Sequence, residues 1–110
     1  MTDDDDAAPE HIPGPSVPAD AVSKELLIIN KRGLHARASA KFVQTVERFH
    51  AEVWVTRGGE TVGGTSIMGL MMLAAGPGTT IMVSAIGPDA EAAVKAITEL
   101  VESKFNEEGT

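Results

Sequence analysis

The sequence contains no cysteine and no tyrosine, and it has one tryptophan and three phenylalanines in 110 residues. Without cysteine there can be no disulfide, no thiolate nucleophile and no thiolate metal site. That usage suits a reducing cytoplasm, the expected location. No run of about 18 apolar residues occurs, so no membrane span is expected. The first residues are acidic and have neither a basic segment nor an apolar core, so they do not read as a secretory signal. Aromatics are scarce and no basic patch is interleaved with them, which argues against nucleic-acid binding. The three histidines, His11, His35 and His50, stand far apart with no spacing that suggests a metal site.

Basic residues are missing from positions 1–23, which hold six acids (Asp3, Asp4, Asp5, Asp6, Glu10, Asp20) and four of the six prolines. So few large apolar groups cannot offset the entropy of ordering, and 1–23 reads as a disordered tail. His11 within it reads as inert. The net charge of −7 comes mostly from this tail, because residues 24–110 carry ten acids against nine bases. Residues 24–110 are enough for one domain with a modest core. Its early bases, Lys24, Lys31, Arg32, Arg37, Lys41 and Arg48, would suit an acidic protein partner.

From position 24 the chain becomes patterned. Residues 26–29 are a continuous apolar run and read as a largely buried strand. Gly33 punctuates the loop that follows. Residues 36–49 have helical spacing, with Phe42, Val43, Val46 and Phe49 on one face, and His50 is expected to end that helix. Residues 51–57 alternate, placing Val53 and Val55 opposite Trp54, and read as a strand. Gly58-Gly59 is a hairpin signal, with a return strand at 60–64. A short helix at 66–75 closes at Gly76-Pro77-Gly78. A strand at 79–86 and an amphipathic helix at 90–105 complete the order βαββαβα. Hairpin strands mixed with helices in so short a chain predict an α+β fold with helices on one face of an antiparallel sheet.

Two stretches carry chemistry. Gly33-Leu34-His35-Ala36-Arg37 places a histidine at a loop-to-helix junction, with an arginine two residues on. Helix starts present unpaired N–H groups and partial positive charge, so they suit anions. A phosphoryl group held on a ring nitrogen there would share its charge with the amides and Arg37. The bland reading of His35 is a polar loop residue. For Arg37 it is a solvated charge, though a cation at a helix start opposes the dipole. The second stretch is Ser66-Ile67-Met68-Gly69-Leu70-Met71. Ser66 is a good helix cap on any reading. The helix after it is apolar all round, so it must be buried all round or bind something. Leu70, Leu73 and Ala74 are assigned to the core. Ile67, Met68, Met71 and Met72 are expected to be at least partly exposed, as adaptable contacts for partners.

With this element order and Ser66 31 positions after His35, residues 24–105 resemble the HPr family, the histidine-containing phosphocarriers of the bacterial phosphotransferase system. The resemblance implies an open-faced β-sandwich, a four-stranded antiparallel sheet with three helices on one face. It also implies that His35 takes a phosphoryl group on Nδ1 from phospho-enzyme I and passes it to a IIA-type protein, with Arg37 assisting. Ser66 would be the target of a Ser-specific HPr kinase/phosphorylase. Ala36, Lys41 and the four exposed apolar residues would form the partner-binding face, with Lys31 a further candidate. The carrier would bind no cofactor or metal of its own and would be a monomer. Ala38 departs from the family, which usually has proline after the arginine, and Thr65 stands where a lysine often precedes the serine. Two other readings remain: a regulatory binding module of the same fold controlled mainly through Ser66, and a small ligand-binding domain indifferent to His35.

Overall fold

A computed structural model describes residues 17–107. The elements are β1 (Val22–Leu27), α1 (Ala36–Val46), β2 (Glu52–Arg57), β3 (Glu60–Gly63), α2 (Ile67–Met72), β4 (Thr80–Ile86) and α3 (Ala90–Glu102), followed by a 3₁₀ turn over Lys104–Asn106. The four strands form one sheet in the order β1-β4-β2-β3. Every neighbouring pair is antiparallel. The expected α+β, open-faced architecture is therefore present. Positions 1–16 of the expected tail lie outside the described residues, whereas Val22 and Ser23 belong to β1 rather than to the tail.

The sheet register separates two faces. Val53, Val55, Val83 and Ala85 belong to the core with Phe42, Leu70, Ile97 and Val101 from the helices. Burying a side chain of this size contributes about 1.5–3 kcal/mol. Trp54 is also buried but lies outside that cluster, across from Ser84, whose hydroxyl hydrogen-bonds Ser23 at 2.8 Å. The alternation corrects the reading of 26–29 as largely buried. Leu26 and Ile28 are buried, while Leu27 and Ile29 are 51% and 39% exposed, because only one face of the sheet carries helices.

Helix ends also differ from expectation. The last residues of the predicted first helix, Arg48 and Phe49, make i→i+3 bonds to Thr45 and Val46 instead of continuing α1. His50 therefore lies beyond the helix; its N–H donates to the Asp89 carboxylate at 2.8 Å. At the end of α2, Ala74 takes a left-handed φ of 53° and is exposed. That reversal turns Ala75 inward, so Ala75 holds the core place expected of Ala74.

Candidate functional site

His35 is the N-cap of α1, in an extended backbone conformation, and its side chain makes no cap bond. Ser39 is the residue whose N–H closes onto the His35 carbonyl, at 2.8 Å. The N–H groups of Ala36, Arg37 and Ala38 thus precede the helix ladder and have no acceptor within it.

The loop before His35 is held from two sides. Leu34 N–H donates to the Ala75 carbonyl at 3.0 Å. Gly33 has φ +64°, and a Cβ there would stand 2.2 Å from the same carbonyl oxygen, so only glycine fits. Asn30 is fully buried, and its Nδ2 donates to the Gly33 carbonyl at 2.8 Å and to Glu107 Oε1 at 3.3 Å. Among the described residues its Oδ1 has no hydrogen-bond partner.

Glu107 enters the site from the far end of the chain. Lys104, Phe105 and Asn106 all have φ between 56° and 58°, so the chain reverses immediately after α3. Buried Phe105 anchors the turn, and Lys41 Nζ donates to its carbonyl at 2.5 Å. Glu107 Oε2 then meets His35 Nε2 in a close contact. The two side chains are only 15% and 11% exposed. Burial pushes the Glu107 carboxyl up, but the hydrogen bonds from His35 and Asn30, with the charges of His35 and Lys41, outweigh it. The group ends below the usual carboxylate range.

The result is an open cleft of about 800 Å³ lined by Arg32, His35, Ala36, Arg37, Lys41, Asn106 and Glu107. It unites His35, Arg37, Ala36 and Lys41 of the expected site. Arg32, not Lys31, completes its cationic lining. Lys41 is partly engaged with the Phe105 carbonyl. Ser66 lies elsewhere, exposed at the start of α2, with its hydroxyl accepting from Gly69 N–H at 2.9 Å. Ile67, Met68, Met71 and Met72 are 40%, 69%, 39% and 72% exposed, as the pattern predicts. Among the described residues no group of three or more His, Asp or Glu side chains could hold a metal ion. No helix among them is long and apolar enough to cross a membrane.

Sequence reasoning missed Glu107 and Asn30. Asn30 continues the parity of Leu26 and Ile28, so the alternation itself marked it as an inward-facing polar residue. Glu107 carried no such signal, because its position depends on the left-handed turn.

A largely covered imidazole at a helix start, lined by cations, is an arrangement suited to an anion. Residues 22–103 match the family described as PTS HPr component phosphorylation site. The chain is 51% identical over 86 residues to the phosphocarrier protein HPr of Neisseria meningitidis, covering 78% of this chain and 97% of that one. It is 48% identical over 84 residues to the HPr of Xylella fastidiosa, covering 76% and 94%. A crystal structure of an HPr from Thermoanaerobacter tengcongensis superposes with a TM-score of 0.76 at 45% identity, over 79% of this chain and 98% of that one. The chain belongs to the HPr family of phosphocarriers of the phosphotransferase system.

Proposed function

We propose that His35 is the phosphoryl acceptor, that phospho-enzyme I is the donor and that a IIA-type protein is the recipient. The observation that carries this reading is the placement of His35 at the start of α1 in a cleft lined by Arg32, Arg37 and Lys41. A neutral ring nitrogen attacks phosphorus. The free N–H groups of the first turn and the Arg37 guanidinium offset the charge on the transferring oxygens. No cofactor enters the step, since phosphoenolpyruvate and magnesium act at the donor. The exposed side chains Ile67, Met68, Met71 and Met72, with Ala36 and Lys41, serve as one docking face used by donor and acceptor in turn. The carrier is taken to act as a monomer. The carrier domain, expected from position 24, is taken to begin with β1 at Val22 and to work in the cytoplasm.

Regulation through Ser66 is a second layer on the same reading. Its hydroxyl is exposed, and a phosphate there would stay compatible with capping α2 while adding negative charge beside the docking residues. A Ser-specific HPr kinase/phosphorylase would write this mark.

The test is phosphorylation of wild type and His35→Ala by enzyme I and phosphoenolpyruvate, followed by intact mass with and without acid. An acid-labile phosphate on wild type and none on the variant is expected. An unmodified wild type, with enzyme I competent on a control carrier, overturns the reading. An acid-stable phosphate confined to Ser66 would favour the regulatory module instead.

A further inference from the structure

The His35–Glu107 contact does more than fasten the segment after α3: it also decides where the ring proton sits. An ionised carboxylate only accepts hydrogen bonds, and a neutral imidazole has one N–H. With Glu107 Oε2 against Nε2, the ring proton belongs on Nε2 and the lone pair on Nδ1. Resting on the carrier reading above, we propose that Glu107 is a positioning residue that fixes this tautomer and so selects Nδ1 as the phosphoryl acceptor, with Asn30 holding the carboxylate in place.

Three observations support this. The ring and the carboxylate are both largely covered, so water competes poorly for their contact. Asn30 bridges the Gly33 carbonyl and Glu107 Oε1, which ties the carboxylate to the loop that carries His35. Three successive left-handed residues, none of them glycine, bring Glu107 back to the site. Such backbone is costly and persists only where its surroundings over-determine it. Here the anchors are Phe105 in the core and Lys41 on the Phe105 carbonyl.

The step balances simply. Nδ1 donates its pair to phosphorus, and the donor's bond to phosphorus breaks with its pair remaining on the donor. The Nε2 proton stays on His35. The ring thereby gains positive charge, and the Glu107 carboxylate faces that charge. An acidic partner to a nucleophilic histidine both orients the ring and stabilises its cationic form.

The experiment uses the full chain with ¹⁵N-labelled histidine as wild type, Glu107→Ala and Glu107→Gln. Ring ¹⁵N shifts at a pH where His35 is neutral report the tautomer, and the initial rate of phosphorylation by enzyme I reports transfer. Wild type is expected as the Nε2–H tautomer. Glu107→Ala should show mixed tautomers and transfer about tenfold slower, the effect of losing one charge-assisted hydrogen bond. Glu107→Gln keeps an acceptor oxygen, so it should retain the tautomer and fall between the two in rate. A Glu107→Ala protein with wild-type tautomer and rate overturns the proposal, and so does one that is merely less stable with both unchanged. Those results leave the carrier reading standing. If wild type itself takes no phosphate while a control carrier does, the carrier reading falls and this inference falls with it.

Discussion

At the start of α2, Ser66 turns its hydroxyl onto its own helix, accepting from Gly69 N–H at 2.9 Å. At the start of α1, His35 has the same extended backbone but makes no cap bond and directs its ring to Glu107. One helix start is closed by its own side chain; the other has first-turn N–H groups with no acceptor among the described residues. The difference shows how one fold separates stability from chemistry. A cap satisfies the helix at once, whereas an uncapped start keeps donors for an incoming anion and must be supported from outside. For α1 that support comes from the Ala75 carbonyl, from Asn30 and from the turn after α3.

The sharpest way to break the contrast is to remove the outside support. Gly33→Ala places a Cβ against the Ala75 carbonyl in a left-handed residue. It should cost about 3 kcal/mol or more, measured by urea unfolding, because neither the backbone angle nor the space suits alanine. A loss below about 1 kcal/mol would mean that the loop is not held as described. Next in size is the self-capped helix. Ser66→Ala should cost about 1 kcal/mol, and Ser66→Asp should restore most of it, since aspartate caps as well as serine. Equal stability of all three proteins would remove the cap from the comparison.

A smaller effect is expected from acid. The folded Glu107 carboxyl titrates below its unfolded counterpart. As pH falls, the unfolded chain therefore binds this proton first, and the stability that Glu107 contributes is lost as pH drops through the folded value. Denaturation measured from neutral pH downward should show a flatter acid limb for Glu107→Gln than for wild type. Smallest of all is Ala38→Pro, which restores the usual family residue. Ala38 lies in the first turn, ahead of the Ser39 bond to His35, so its N–H has no acceptor within the helix. Stability should stay within about 1 kcal/mol of wild type. A larger loss would show that the first-turn N–H groups of α1 are not free after all.

Much of this contrast was legible in the chain. The motif at Gly33 to Arg37 gave the histidine its helix start, and the apolar run after Ser66 led to exposed Met68 and Met72. Local pattern suffices where spacing alone decides which face a residue occupies. It failed where one backbone angle redirects the chain. Ala74 and Ala75 are identical in composition, and only the left-handed φ of Ala74 sends one outward and the other into the core. The same limit hid Glu107, because Lys104 and Phe105 give no sign of a left-handed turn and Asn106, which tolerates one, does not require it. Asn30 was within reach, since its parity with Leu26 and Ile28 pointed inward.

Gly33 also bears on how substitution data at this signature should be interpreted. Under the proposed function His35 and Arg37 act on a phosphate, but Gly33 answers to a carbonyl oxygen 42 positions away in the chain. A scan of the motif scored by phosphate uptake alone would group all of these positions together as equally essential. Scored for folding in parallel, it would separate into chemical letters and one architectural letter, and a defect at Gly33 would report the closure of the fold rather than a fault in the transfer.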